Sequence, residues 1–292
     1  MISNTKLSQL ITLKDGRRLG YAEVGNLDSE ALFWFHGGGS SRFEIRFFEK
    51  IAEQHNIHVI AADRPGIGLS TFQNNRTILD WPMDVKELAD HLGIEKFAVA
   101  GVSGGGPHVA ACAYSIPERV TGCGMISSIG AIDLKETWKK YPRAFRLTFF
   151  LARSMTWIFK PVMRLQLRGM KSMENYKKMV LKNQNLPEAD RKLIEETDFF
   201  PRFYECGVEG MKEGTKGIIH EYKIFASSWG FNLHEISPKI KTYICAGDQD
   251  PNSLFVVPFA NVIPNATTRI FENEGHLSTV INYAEEIIPN VM

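Results

Sequence analysis

The chain has 292 residues, of which 44% are hydrophobic and 23% are charged. This length and composition allow a sizeable core without disulfides or bound metals, and they exclude disorder of the chain as a whole. The 34 basic and 33 acidic residues give a formal net charge of +1, so the charge does not indicate a nucleic-acid-binding protein. The four cysteines are widely spaced and are expected to be reduced and mostly buried.

The sequence also predicts a soluble protein of the cytoplasm. Its first residues lack the long apolar stretch and the small-residue cleavage site of a secretory signal peptide. The most apolar stretch, residues 147–159, is interrupted by Arg153 and is too short to span a bilayer.

Predicted strands and helices alternate over the first 129 residues. Residues 8–13 and 17–24 flank Asp15-Gly16, which favours a hairpin. The short apolar runs that follow are typical of strands buried on both faces of a parallel sheet. These later strands are predicted at 31–35, 56–63, 97–102 and 120–128, and helices are predicted at 43–54, 83–92 and from Pro107 to about Ser115. The alternation predicts a parallel sheet with helices on both faces.

The alternation stops near Ile129 and resumes near residue 237. Between these points the sequence contains helix signals and no convincing strand. The final part again predicts strands and helices, with strands at 241–247 and 267–271 and helices at 253–262 and 277–289. We therefore predict one α/β core domain, formed by residues 1–129 and 237–292, and a helical insertion at 130–236.

The clearest chemical signal is Gly101-Val102-Ser103-Gly104-Gly105, which matches the pattern G-x-S-x-G between a predicted strand and a predicted helix. The chain must turn so sharply there that the neighbours of the serine need to be almost free of side chains. Such a turn raises the Ser103 hydroxyl above the sheet edge and directs the N–H of Gly104 at an oxyanion formed there. A glycine-rich turn with an incidental serine is the alternative, and the strand-turn-helix context disfavours it.

A serine hydroxyl is a weak nucleophile and needs a base. Among the eight histidines, His276 follows Gly275 just after the last predicted strand, where a loop can reach over the carboxyl edge of the sheet. His108 lies five residues beyond Ser103 on the same predicted helix, and its helical phase favours a packing or surface position.

The base needs an orienting carboxylate, and two acids follow the strand at 241–246. Asp248 is equally suited to cap a turn, whereas Asp250 lies further into the loop and is better placed to reach a neighbouring loop. A second oxyanion donor is expected from another loop, and His36-Gly37-Gly38-Gly39 offers unobstructed backbone N–H groups after an early strand. This glycine run is a weak phosphate-binding candidate because no Gly-Lys-Ser/Thr follows it.

Together these motifs resemble the α/β-hydrolase fold family. The pieces that match, in the family's order, are HGGG at 36–39, DRPGIGLS at 63–70, GVSGGGP at 101–107, GDQDP at 247–251 and GH at 275–276. The resemblance implies a mostly parallel eight-stranded sheet with helices on both faces and an inserted helical cap. It also implies a triad of Ser103, Asp250 and His276 without a metal or organic cofactor. The implied oxyanion donors are Gly104 and Gly38, with Gly37 and Gly39 as alternatives to Gly38.

The nucleophile type narrows the activities that the resemblance implies. Haloalkane dehalogenases and epoxide hydrolases of this superfamily use an Asp nucleophile, whereas this chain has Ser103. We expect a serine hydrolase that acts on a carboxylic ester of a small or medium apolar molecule. Cleavage of an amide or peptide, as in an aminopeptidase, or of a C–C bond with the same triad stays open, as do perhydrolase chemistry and ligand sensing with little turnover. The sequence does not fix the oligomeric state.

The predicted insertion contains a strongly basic segment. From Lys135 to Lys182 it carries 13 Lys or Arg against two Glu, a net charge of +11. Such a segment can attract an anionic substrate or contact an anionic membrane surface, but a solvated face is favoured. Its methionines and aromatic residues suit an adaptable apolar pocket, and for most of them ordinary packing between helices is favoured.

Overall fold

A computed structural model describes residues 6–134, 137–170 and 172–292. Residues 1–5 lie outside the described residues, as do Lys135, Glu136 and Lys171 of the basic segment.

Eight strands of the described residues form one sheet. The strands are β1 Lys6–Thr12, β2 Arg18–Gly25, β3 Ala31–Phe35, β4 His58–Ala62, β5 Phe97–Val102, β6 Val120–Ile126, β7 Lys241–Gly247 and β8 Ala266–Phe271. Their order across the sheet is β1-β2-β4-β3-β5-β6-β7-β8. β2 runs antiparallel to both β1 and β4, and β3 to β8 run parallel to one another. The predicted mostly parallel, eight-stranded sheet is confirmed.

The core of the sheet is apolar on both faces. All five residues of β3 and all five of β4 are buried. Side chains alternate between the faces of a strand, and those of β3 accordingly divide between two clusters. Phe33 and Phe35 pack with residues of the helices on one face, whereas Leu32 and Trp34 pack with those on the other. Helices therefore cover both faces, as the continuous apolar runs predict.

Twelve α-helices lie within the described residues. Those of the sheet region are α1 Glu49–Gln54, α2 Trp81–His91, α3 Gly106–Ser115, α11 Val256–Ala260 and α12 Ser278–Val291. Between β6 and β7 lie α4 Thr137–Lys140, α5 Arg143–Ser154, α6 Thr156–Gly169, α7 Met173–Leu181, α8 Glu188–Glu196, α9 Phe199–Gly210 and α10 Lys216–Phe225. None of these helices is both long and apolar enough to cross a membrane.

Two predicted helices differ from the observed ones in their first turns. The helix predicted at 43–54 begins as a 3-10 helix, Arg42–Phe47, before α1. In that tighter turn Arg42 and Glu44 are buried and bonded to Asp63 and Trp34, which ties the turn to the sheet. The helix predicted at 253–262 likewise begins as the 3-10 helix Pro251–Phe255 and continues as α11.

The helices between β6 and β7 contact the sheet region through buried polar groups as well as apolar ones. Glu221 of α10 pairs with Arg64, and Asp190 of α8 reaches the start of α12. The four cysteines are all buried and unpaired, which confirms that prediction.

Candidate active site

The predicted serine lies on a strained turn between β5 and α3. Ser103 has φ +55°, a left-handed conformation that residues other than glycine rarely adopt. A Cβ atom on Gly105 would lie 2.1 Å from the carbonyl oxygen of Phe35, and one on Gly101 would lie 2.8 Å from the carbonyl carbon of Gly105. The close approach of backbone to backbone therefore requires glycine on both sides of the serine. The Ser103 side chain is half-buried, so its hydroxyl is accessible at the carboxyl end of β5.

The carboxylate of Asp250 contacts the imidazole of His276. Asp250 Oδ2 lies 3.0 Å from His276 Nδ1, and Asp250 Oδ1 accepts the backbone N–H of Asn252 at 2.9 Å. Burial by itself raises the pKa of Asp250, but the charge of His276 and the hydrogen bonds hold that pKa below its usual value. Asp248 is exposed, and within the described part of the chain only its backbone N–H is hydrogen-bonded, to the carbonyl of Phe271. Of the two acids that follow β7, Asp250 is the one that reaches the histidine.

The ion pair changes the protonation of His276. Burial lowers its pKa, but attraction to Asp250, supported by Asp190 and Glu44, raises it to about 8. Among the described residues, no hydrogen bond joins the Ser103 hydroxyl to the imidazole. Val102, which precedes the serine, nevertheless lines the same small cavity as His276. Catalytic hydrogen bonds in ligand-free enzymes are often long and tighten when substrate binds.

The glycine loop 36–39 meets the serine turn at Gly38. The N–H of Gly37 donates to Glu44 Oε1 at 3.0 Å and is therefore already engaged. The N–H of Gly38 has no partner within the described part of the chain. A Cβ on Gly104 would lie 3.0 Å from the nitrogen of Gly38 and 2.7 Å from the ring of Phe225. The backbone nitrogen of Gly38 thus lies against Gly104, beneath the Phe225 ring, which favours Gly38 over Gly37 as a donor.

Buried polar groups fix the orientation of this loop. Arg64 donates to the carbonyl oxygens of His36 at 2.7 Å and Gly37 at 3.2 Å, and Glu221 pairs with the same guanidinium. In a trans peptide the C=O and the following N–H point in opposite directions, so these bonds turn the next N–H groups away from Arg64. Burial and the neighbouring Arg64 lower the pKa of His36 to about 3, so its ring is neutral. Gly39 ends the loop with φ +75°.

His108 is a packing residue, which confirms one of the two positions predicted for it. Its ring is buried, with Nδ1 2.9 Å from the carbonyl oxygen of Gly104. The ring also lies edge-on to Trp81 and Phe225. Burial lowers the pKa of His108 well below its usual value, so it stays neutral beneath the turn.

Asp190 is a residue that the sequence analysis missed. Its buried carboxylate accepts the backbone N–H groups of His276 at 3.0 Å, Leu277 at 3.1 Å and Ser278 at 2.8 Å. A Cβ on Gly275 would lie 2.5 Å from this carboxylate, so the glycine before the histidine permits the approach. The carboxylate therefore caps the N-terminus of α12, where negative charge is favourable, and fixes the backbone that carries His276.

Two cavities lie beside these groups. One, of about 220 Å³, contains Gly38 and Gly39 in its wall together with four methionines, Met163, Met170, Met179 and Met211. A smaller one, of about 50 Å³, is lined by His276, Glu44 and aromatic side chains that include Phe47 and Phe199. Among the described residues, no group of three or more His, Cys, Asp or Glu side chains is arranged to hold a metal ion.

A family comparison agrees with this architecture. The model of the alpha/beta hydrolase fold matches residues 30–282. The chain belongs to the alpha/beta hydrolase fold family. The sequence resemblance is thereby confirmed over most of the chain.

Individual relatives of this α/β-hydrolase-fold chain are distant. An uncharacterized hydrolase of Saccharomyces cerevisiae is 32% identical over 143 residues, which cover 45% of this chain and 49% of that protein. The chain thus spans about half the length of this curated relative. Epoxide hydrolase A of Mycobacterium thermoresistibile has a similar structure, with a TM-score of 0.72, 17% identity and 99% of each chain covered. An esterase of Exiguobacterium antarcticum gives a TM-score of 0.70 with 15% identity and 96% of each chain covered. At these identities the likenesses establish the fold.

Proposed function

We propose that this chain is a serine hydrolase that cleaves carboxylic esters with an apolar acyl group. The proposal rests on the Asp250–His276 ion pair, together with Ser103 on a strained turn at the carboxyl edge of the same sheet. A histidine held by a buried carboxylate through Nδ1 presents Nε2 as a base, and the turn presents the hydroxyl that needs one.

In this mechanism Ser103 attacks the ester carbonyl while His276 Nε2 takes the hydroxyl proton. Asp250 holds the imidazole in the tautomer that carries the proton on Nδ1 and stabilises the imidazolium. The N–H groups of Gly38 and Gly104 donate to the oxyanion of the tetrahedral intermediate. His276 then protonates the leaving alcohol, and a water molecule that it deprotonates hydrolyses the acyl-enzyme.

The cavity beside Gly38 supports an apolar substrate group. Among the described residues, its walls are made by methionines, aliphatic residues and the rings of Tyr176 and Tyr222, with no Lys, Arg, Asp or Glu. Flexible methionine side chains adapt to chains of differing shape. Since the described part of this wall offers no carboxylate to a cation, the cavity favours an ester of an apolar acid over a peptide with a free amino terminus.

We further propose that residues 130–236 form a cap over the site. Three side chains from this segment support it: Phe225 lies over the two proposed oxyanion donors, and Met163 and Met179 line the cavity beside them. A cap of this kind excludes water and shapes the pocket. Glu221 and Asp190 would hold it to the two loops of the sheet region that carry Gly38 and His276.

The proposal is tested by measuring the hydrolysis of p-nitrophenyl esters with two to twelve acyl carbons. The unaltered chain and the Ser103→Ala variant are compared in the same assay. We expect kcat/KM to rise by about fourfold per added CH2, since each buried CH2 contributes about 0.8 kcal/mol, until the cavity is filled. Activity must disappear in Ser103→Ala, while its unfolding curve stays close to that of the unaltered chain. Activity that persists in this variant would overturn the mechanism. If the folded chain reacts with a fluorophosphonate at Ser103 but cleaves no ester in the series, the nucleophile stands and the ester substrate is wrong.

A further inference from the structure

The outward face of α5 and α6 exposes large apolar side chains. Trp157 is 73% exposed, Leu165 69%, Leu147 58% and Phe150 51%. Side chains of this size are rarely so exposed in one group on a monomer, and larger groups mark interaction surfaces. The exposure follows from packing, because the buried residues of these helices, among them Ala152, pack towards α10 and leave the opposite faces outward.

The two helices that carry these side chains are uniformly positive. From 143 to 169 the sequence has six cations and no acidic residue; the cations are Arg143, Arg146, Arg153, Lys160, Arg164 and Arg168. None of the six has a carboxylate partner among the described residues, whereas Lys178 in the next helix pairs with Glu174. Helical spacing places Arg143, Leu147 and Phe150 on one face of α5, and Trp157, Lys160 and Arg164 on one face of α6. Unpaired positive charge and exposed apolar groups therefore share one surface.

We propose that this surface, the α5–α6 face, docks on an anionic lipid bilayer. Helices that lie in the plane of a membrane interface combine cations with exposed Trp and aliphatic side chains. Their apolar side chains insert into the bilayer, and their cations contact the lipid headgroups. A solvated face, which the charge pattern by itself favours, does not account for the exposed Trp157 and Leu165. Symmetric contact with a second copy would bring the cations of this face against the same cations of the other copy and is opposed by their repulsion.

This inference does not rest on ester hydrolysis, but it has a geometric consequence for the site. α6 carries Trp157 on its outer face and Met163 in the wall of the cavity beside Gly38. A bilayer bound by this face would therefore lie against the helix that forms part of the cavity wall.

Vesicle sedimentation with Trp157 as a reporter tests the inference. The unaltered chain should bind vesicles of phosphatidylcholine mixed with phosphatidylglycerol at low salt, bind much less at high salt, and not bind phosphatidylcholine alone. Trp34, Trp81 and Trp229 are buried, whereas Trp138 is 38% exposed, so the quenching experiment uses a Trp138→Phe background. Bromine atoms on the lipid acyl chains should quench the fluorescence of that variant, and adding Trp157→Phe should abolish the quenching.

Charge reversal supplies the matched control. Arg164→Glu with Arg168→Glu should weaken vesicle binding by at least about 25-fold, since each cation near an anionic bilayer contributes about fivefold. Lys96→Glu with Lys239→Glu makes the same change in charge at two exposed lysines that precede β5 and β7, at the opposite end of the strands from Ser103. This control pair should bind like the unaltered chain, and neither pair should change the reaction of Ser103 with a fluorophosphonate.

Three results would overturn the inference. The first is the absence of binding to the anionic vesicles at low salt, and the second is an equal loss of binding in both charge-reversal pairs. The third is concentration-dependent dimerisation in the absence of lipid, if the pair Arg164→Glu with Arg168→Glu abolishes it. In that case a second copy of the chain, and not a bilayer, binds this face.

Discussion

Asp190→Asn is the change that most directly tests how the histidine loop is held. The carboxylate is 2% exposed and accepts three backbone N–H groups, those of His276, Leu277 and Ser278, at 2.8 to 3.1 Å. Asparagine retains one oxygen for Leu277 and Ser278 but turns its NH2 group towards the N–H of His276. One charged hydrogen bond is lost and two become neutral, so the free energy of unfolding should fall by about 3 kcal/mol.

The same substitution should change the titration of the site. Asp190 is one of the negative charges that raise the pKa of His276, so its removal moves that pKa downwards. The acid limb of the reaction of Ser103 with a fluorophosphonate should therefore shift to lower pH. The loop is also released, and a displacement of about 1 Å can cost up to about 100-fold in rate, so the maximal rate should fall.

Urea unfolding and the pH profile of the fluorophosphonate reaction measure both effects. Glu196→Gln is the matched control, because it neutralises an exposed carboxylate at the end of the same helix, α8. It should leave both measurements unchanged. The reasoning is refuted if Asp190→Asn unfolds at the same urea concentration as Glu196→Gln and titrates at the same pH as the unaltered chain.

Three further predictions concern the site. Asp250→Asn should lower kcat by about 10⁴-fold because the histidine tautomer is no longer fixed, whereas Asp248→Asn should stay within about threefold of the unaltered rate in steady-state kinetics. Gly104→Ala should lower kcat by at least about 100-fold, because its Cβ would lie 2.7 Å from the Phe225 ring and 3.0 Å from the nitrogen of Gly38, so the proposed oxyanion donors must shift. Gly38→Ala meets only an ordinary contact at 3.6 Å and should fold normally, as circular dichroism can check. The kcat/KM of the unaltered chain should rise with pH with a midpoint near 8, because His276, the proposed base, must be neutral to accept a proton. A midpoint near 6.5 would contradict the ion pair.

The raised pKa of His276 also has a consequence for stability. The folded pKa of about 8 lies above the ordinary value of 6.5, so the folded state binds the proton more tightly than the unfolded chain. The stabilisation is fully present below pH 6.5 and is lost as the pH rises through 8. The pKa of Asp250 is shifted the other way, so its contribution is lost as the pH falls into the acidic range.

The sheet was predictable because its signals are local. Each strand of the parallel part is a short run such as ALFWF or FAVAGV, and a run that is apolar at every position is compatible with burial on both faces. The serine turn could also be recognised from the sequence. Backbone crowding at Gly101 and Gly105 excludes side chains there, so this requirement appears in the sequence as glycine at both positions. The start of the helix predicted at 43–54 differed because its first turn contains the buried polar residues Arg42 and Glu44. Their partners, Asp63 and Trp34, come from elsewhere in the chain.

The sequence by itself determined the fold class, the serine turn and the short set of residues from which a triad can be built. The sequence favoured Asp250 and Gly38, but the tertiary structure decided which groups meet: Asp250 contacts His276. Within the described residues the N–H of Gly37 is bonded to Glu44, whereas that of Gly38 has no partner. The tertiary structure also decided that Asp190, 86 residues before His276 in the chain, caps the loop that carries the histidine. The physical reason is that strand and turn signals arise between near neighbours, whereas ion pairs, caps and exposed faces depend on which distant segments the sheet brings together.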